Sequence, residues 1–403
     1  MEENTGGREM IITNETLQAL RTMVRGEFAA QQAALGADPI YKKLATIVPS
    51  STNSNTYGWL GQFPRLREWV GPRVVRDIAE SAYAITNKKF EATLGVRRTD
   101  IEDDNLGIYR SLSAHMAFEV DQFFSQATAD LMADGFSSLC YDGQPFFDTD
   151  HPVYPNADGT GAAGVVSNIV GSPGASGKPW FLLSLNGPLK PFLLQQRTSP
   201  ELDEITDPKN DTVFMLDEYL YGVRWRGNFG YALWQQAAAS KLALTPANYE
   251  AARLAMRSFR RDGGAPLGII PTHLVVDPSN EAAARALLEM QFNSGSSNPN
   301  YHTAELMVVA WTSSNANLSA LALSTGTLSP AFDPAVTAYT VNVANGVSAI
   351  TVTGTAAESG AGLSAESGVS QSLSVGANAI AITVTAQNGT VKTYTVTVIR
   401  AAA

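Results

Sequence analysis

The sequence predicts an α+β body followed by an all-β sandwich, and three observations separate the two. Leu112, Met116, Val120, Phe123, Ala127 and Leu131 recur at three- and four-residue steps between about Gly107 and Asp134, the period of a long helix. Near the other end, Tyr339/Val341/Val343, Ile350/Val352, Ile380/Ile382/Val384 and Tyr394/Val396/Val398 alternate with period two, as half-buried strands do. Charge falls at the same place: the 89 residues from Asn315 to Ala403 hold three acids (Asp333, Glu358, Glu366) and two bases (Lys392, Arg400). Ala, Thr, Val and Ser make up 53 of those 89 positions, so two differently composed objects share one chain.

The whole chain has 403 residues, 28 Lys+Arg against 38 Asp+Glu, a net charge of −10 and one cysteine. That length suggests two or three domains. No apolar run reaches the ~18 residues of a membrane span, so no membrane partner is expected. The start, Met1-Glu2-Glu3-Asn4, is acidic and polar, and no secretory signal is expected there. Cys140 alone makes neither an internal disulfide nor a thiolate cage. The acidic balance argues against a free nucleic-acid binder that works by neutralising phosphates, and leaves room for a protein that encloses nucleic acid without gripping it.

Within the body, a helix is expected from Glu15 to Gln32 with Asn14 as cap, followed by the polar stretch 49–55 (PSSTNSN). Trp59, Phe63, Arg65, Arg67 and Trp69 then crowd together among Gly and Pro, a mixture that fits a core and a partner interface equally. Residues 84–96 read as two short strands about a polar turn, and the acidic run 100–105 as solvated loop, because it lacks the ligand spacing of a calcium site. The long helix over 107–134 would be about 40 Å long and stops at Gly135.

Asp148, Asp150 and His151 invite a metal or acid–base reading, but no second His or Glu group lies nearby to complete a shell, and a proline-bounded turn is the expectation. Gly159 to Gly164 matches GxGxxG without the strand before it or the helix after it, so it reads as loop. Strands are expected at 190–196, 219–225, 267–276 and 304–311, and helices from Thr245-Pro246 to about Arg261 and from Asp277-Pro278 to Met290. No nucleophile–base set can be assembled, so no catalytic residue, cofactor or metal is expected.

Several segments, in order, resemble the Mu-like phage major head subunit: 50–69 (SSTNSNTYGWLGQFPRLREW), 87–91, 100–104, 139–152 (LCYDGQPFFDTDHP) and 188–197. The resemblance covers roughly Met10 to Trp311 and implies the tailed-phage major capsid fold, an α+β architecture. Its parts would be an N-terminal arm (1–48), an extended β loop (49–106), a peripheral domain with the spine helix (107–190) and a mainly axial domain (191–311). Trp59, Phe63, Arg65, Arg67 and Trp69 would then pack on a neighbouring subunit. Family members tend to begin near the equivalent of Met10 and to end soon after 304–311, whereas this chain continues.

Thr312 to Asn317 reads as a polar linker. Beyond it, about seven short strands indicate a sandwich over 318–403. Leu318–Leu321, Leu328–Pro334, Tyr339–Val341 and Asn388–Thr390 resemble the bacterial cadherin-like, immunoglobulin-like β-sandwich. Calcium is not implied, since no acidic cluster is present.

The function implied is a major capsid protein that self-assembles, as hexamers and pentamers, into the icosahedral head of a tailed Mu-like bacteriophage. It would enclose dsDNA without sequence-specific binding, meet scaffold, protease and portal during assembly in the bacterial host cytoplasm, and end in the virion. The sandwich would face outward as a dispensable decoration, with a host surface or glycan as its contact. Lys88 and Lys89 lack a matching acid-and-Asn arrangement, so covalent crosslinking is not expected. The alternative is a secreted or surface adhesin or carbohydrate-binding protein.

Overall fold

The computed structural model describes residues 14–35, 39–58, 60, 83–99, 106–156, 159–172, 175, 177–207, 209–293, 296–358, 360–387 and 389–402. These fall into two compact units. The first draws on Met1–Gln62, Asp77–Thr128 and Pro188–Ala232, the second on Phe63–Arg76, Ala129–Gly187 and Leu233–Ala403.

A four-stranded sheet organises the first unit. Ala45–Pro49 runs parallel to Phe192–Ile205, which pairs antiparallel with Glu218–Tyr231, itself antiparallel to Lys88–Arg97. Period-two burial of Tyr219, Tyr221, Val223 and Trp225 gives this sheet its packed face. Helix Asn14–Leu35 lays Val24 among Val96, Val213, Tyr219 and Tyr221, and Phe28 against Ala117 and Val223. Arg21 and Arg25 pair with Glu204 and fix the helix along the sheet.

Helix Leu106–Asp134, the predicted spine, contributes its residues up to Thr128 to this unit. Its most buried face is not the expected stripe. Ser113, Ala117, Phe124 and Thr128 are buried, whereas Met116 and Val120 are half-buried and Phe123 is 37% exposed. Small and polar side chains occupy the close-packed face, and Thr128 returns its hydroxyl to Phe124 O at 2.8 Å. Hydrophobic periodicity therefore marks the flank rather than the contact.

Residues 84–96 also differ from expectation. Ala84–Thr86 pairs with Ser54–Thr56, and Lys88–Arg97 enters the large sheet, with Asn87 as the break between two sheets rather than a turn. Strands from 192–231 share that same sheet with 45–49 and 88–97, so segments far apart in sequence form one ladder.

In the second unit, Ala237–Ser240, Trp180–Leu183, His273–Val276 and Glu305–Val308 form a sheet in that order. Every residue of Trp180–Leu183 is fully buried, as a strand covered on both faces requires. Helix Pro246–Ser258 starts where Thr245 accepts the Asn248 N–H, and buries Tyr249, Ala252 and Met256. Helix Glu281–Leu288 buries Ala284, Leu287 and Leu288. The strand expected from 267 is confined to His273–Val276, because Gly268 turns the chain at φ 69° and Pro271 supplies no N–H.

The sandwich packs a sheet ordered Leu318–Leu323, Ala349–Ala356, Ser370–Ser372 against one ordered Ala338–Val343, Val391–Arg400, Gly376–Thr385, Gly362–Leu363. All the alternating residues named from the sequence, from Tyr339 to Val398, are buried in its single core. Gly376–Thr385 and Val391–Arg400 pair antiparallel, with Thr385 opposite Val391. Ala338–Val343 and Ala349–Ala356 lie in different sheets, so Asn345-Gly346 carries the chain across the sandwich.

Candidate assembly site

The polar stretch after Pro49 is built into the first unit by a buried network. Gln195, on the long strand Phe192–Ile205, is fully buried. Its amide nitrogen donates to Asn87 Oδ1 at 2.7 Å and Ile85 O at 2.9 Å, and its oxygen accepts from the Tyr57 hydroxyl at 2.7 Å. Asn87 passes the network on, donating to Ser50 Oγ and Thr52 O, each at 2.9 Å. Ser50 donates in turn to Asn55 Oδ1 at 2.9 Å, and its carbonyl accepts from Arg197 at 3.1 Å. Burial raises the pKa of Tyr57 despite a hydrogen bond from Asn55 that lowers it, so the phenol stays a donor.

Backbone bonds close the same knot: Ser50 N to Gln196 O, Asn87 N to Asn53 O and Tyr57 N to Tyr83 O, each 2.9 Å. Two glycines permit the close approach. A Cβ on Gly227 would lie 2.3 Å from Gln195 O, and one on Gly230 would lie 2.3 Å from Ile85 Cδ1. Tyr57 and Tyr83 are thereby held side by side. Trp59, Phe63, Arg65, Arg67 and Trp69, the interface residues expected from the sequence, lie outside the described residues.

Two further surfaces of this unit carry exposed apolar side chains. Beside helix Leu106–Asp134, an open trough of about 360 Å³ is lined by Phe90, Met116, Val120, Phe123, Phe124 and Trp225. Its rings pack at steep angles, with centroids 4.9 Å apart for the tilted Phe90–Phe123 pair and 4.8 Å for the edge-on Phe124–Trp225 pair. Between the long strands, the short helix Asp211–Leu216 is capped by Asn210 and buries only Val213. It leaves Phe214 80% and Met215 78% exposed.

The trio Asp148, Asp150 and His151 is not assembled in the second unit. Asp148 accepts from its neighbour Thr149 N at 2.6 Å, Asp150 is exposed, and His151 turns to Asp142 at 2.8 Å. A different set comes together instead: Cys140, Asp142 and His151 bring one donor atom each within 4.8 Å. Thiol, carboxylate and imidazole are a donor set that zinc-type ions accept. Asp142 Oδ1 already takes the Cys140 thiol at 3.0 Å and Gln144 N at 3.1 Å, and His151 stacks on Trp234 at 4.1 Å. Burial pushes the Asp142 pKa up, but hydrogen bonds from His151 and Cys140 and the His151 charge outweigh it and hold it below the usual value. The Cys140 thiol is pushed well up by burial and by the Asp142 charge. The arrangement acts as a lock on the turn between Leu139 and Pro145.

Comparison with known proteins decides the lineage. The family model described as Mu-like prophage major head subunit gpT matches residues 17–312. The chain belongs to that family. The relatives it matches include the major capsid protein of Escherichia phage Mu, 46% identical over 282 residues, which is 70% of this chain and 92% of the relative. The Mu-like prophage FluMu major head subunit of Haemophilus influenzae is 44% identical over 252 residues, 62% of this chain and 82% of the relative. Among solved structures, the procapsid of bacteriophage JBD30 matches with TM-score 0.68 at 45% identity, covering 74% of this chain and 99% of that one. The JBD30 capsid matches with TM-score 0.56 at 36% identity, over 75% and 99%. This member of the Mu-like head subunit family therefore has the tailed-phage major capsid fold in its body. A cadherin-like beta sandwich domain model matches 318–401.

Proposed function

We propose that this chain is the major capsid protein of a Mu-like tailed phage, built into the wall of the virion. One observation carries the reading: the body matches the JBD30 procapsid subunit over 99% of its length at 45% identity, with the extended-loop root intact. Each subunit sends its 58–82 segment toward a neighbour, where Trp59, Phe63 and Trp69 bury apolar surface and Arg65 and Arg67 find carboxylates. The exposed Phe214 and Met215 and the aromatic trough supply further contact area between copies. Copies close into hexamers and pentamers around dsDNA, with scaffold, protease and portal acting during assembly. The 1–48, 49–106, 107–190 and 191–311 segments serve as arm, loop, peripheral and axial parts, and no catalytic step is assigned to the chain.

The adhesin reading finds little support in the sandwich. Its three aromatic residues are Phe332, Tyr339 and Tyr394; the tyrosines are buried, and Phe332 stacks on Tyr339 at 6.1 Å. A sugar-binding platform needs an aromatic face open to solvent. Electron microscopy of the full chain co-expressed with phage scaffold and protease tests the proposal. Closed icosahedral shells are expected; persistent monomers with glycan affinity would overturn it.

A further inference from the structure

Helix Leu106–Asp134 ends against the rules of its own chemistry. Asp130 and Asp134 sit in its last turns, where the helix dipole is negative and no basic residue offsets them. They are also one turn apart, a spacing at which like charges repel. Burial raises the Asp134 pKa first, and Asp130 raises it further, against hydrogen bonds that lower it.

What these carboxylates hold is the junction to the sandwich. Asp130 Oδ1 accepts from Thr312 N at 2.6 Å. Asp134 Oδ1 accepts from Ser314 N at 3.0 Å and lies 3.5 Å from the Ser313 hydroxyl, while its Oδ2 accepts the Ser314 hydroxyl. Gln387, from the sandwich, accepts Ser313 N at 3.2 Å. Just before the junction, Trp311 is buried edge-on to Phe181 at 5.4 Å. Just after it, Asn317 takes Lys392 Nζ at 2.8 Å and Ala357 N at 2.9 Å. Both ends of the 312–317 segment are thus tied down.

A second contact lies apart from the junction. Lys241 follows the buried strand Ala237–Ser240, and its side chain is only 6% exposed. Its ammonium stands 4.6 Å over the Phe136 ring and 3.6 Å from Glu358 of the sandwich, whose side chain is 13% exposed. A lysine buried this far needs a compensating charge, and here that charge comes from the added domain.

We propose that Asp130, Asp134 and Lys241 form a receptor for the chain's own sandwich, which is clamped to the body in one orientation and serves as a built-in cement. The clamp stands on the intramolecular contacts alone; only the cement role rests on the capsid reading. The sign of the test separates the clamp from local helix effects. Asp130→Ala and Asp134→Ala remove two unfavourable charges from a helix end and raise helix propensity, so without a clamp they are neutral or stabilising.

The test is proteolysis of the full-length chain by proteinase K, whose broad specificity covers the polar 312–317 segment; it needs no shell and so reads the clamp even if assembly fails. With the clamp, the native chain resists cutting within 312–317, and the double variant Asp130→Ala/Asp134→Ala is cut there about tenfold faster or more, releasing a sandwich that keeps its sheet signal in circular dichroism. Lys241→Met, which leaves the junction untouched, accelerates the same cut to a smaller degree. A native chain cut within 312–317 as fast as the double variant, or a Lys241→Met chain and a double variant both indistinguishable from native, would overturn the proposal.

Discussion

Replacing Gln195 by leucine keeps the size of the side chain and removes every polar atom from the centre of the loop root. Three hydrogen bonds go with it: to Asn87 Oδ1, to Ile85 O and from the Tyr57 hydroxyl. Each is worth about 1 kcal/mol net, and a buried acceptor left unmade costs about 1–3 kcal/mol more. Gln195→Leu is therefore expected to cost about 4–6 kcal/mol, and about 3–5 kcal/mol net of an offset of about 1 kcal/mol or less from the gained apolar contact. Urea unfolding of the full chain reads the loss as a lower midpoint at unchanged slope. Shell yield by electron microscopy reads the second consequence, since Tyr57 loses the partner that fixes it beside Tyr83. Tyr57→Phe should cost about 1 kcal/mol alone, and the double variant should cost less than the sum, because the two share one bond. A Gln195→Leu chain within 1 kcal/mol of wild type with normal shell yield would refute the claim that this network sets the loop.

Trp59→Ala and Trp69→Ala are expected to lower shell yield several-fold while leaving the melting temperature of the soluble subunit unchanged; a melting drop with normal shells would return these residues to the core. Asp142→Asn is expected to cost about 2 kcal/mol at neutral pH. Because the native pKa of Asp142 is lowered, the carboxylate's contribution is present above the ordinary aspartate range near ~4 and fades as pH falls through the native value, so wild type and variant should converge in acid. A difference that persists undiminished at low pH would contradict that sign. A chain truncated after Trp311 is expected to fold and form shells with a reduced melting temperature, and Lys241→Met in the truncated chain is expected to restore part of it, since Glu358 is no longer there to pair with the lysine.

The sequence made elements legible where one local period decides them. The helix read over 107–134 is 106–134, and every alternating residue of the sandwich from Tyr339 to Val398 points into its core. It was blind where packing is made by small or polar residues. Ser113, Ala117 and Thr128 carry no hydrophobic signal, so the spine's contact face was placed on its flank. The loop root was invisible for another reason: Tyr57 and Asn87 meet Gln195 across separations of 138 and 108 residues, and nothing in PSSTNSN names those partners. Cys140 and His151 were likewise read apart, because the side chain that joins them, Asp142, is also an ordinary turn residue. One signal was available at the spine terminus. Two aspartates at a helix's negative end break a local rule, and such breaks mark places where tertiary contacts take over.

The loop root and the sandwich clamp share a choice of chemistry that stability alone does not explain. Apolar contact would hold either joint more strongly for the same area, since it carries no desolvation cost. It is also indifferent to direction: a loop resting on leucines can slide or tilt and lose little. Hydrogen bonds weaken steeply when bent, so a network such as Gln195–Asn87–Ser50 or Asp134–Ser314 admits one geometry. A shell subunit needs that kind of constraint at the points from which parts project toward neighbours. An error of a few degrees at such a point is magnified with distance from it, and the same error recurs in every copy. Buried polar joints at the bases of projecting parts, with apolar cores behind them, are the arrangement that sets direction without giving up the fold.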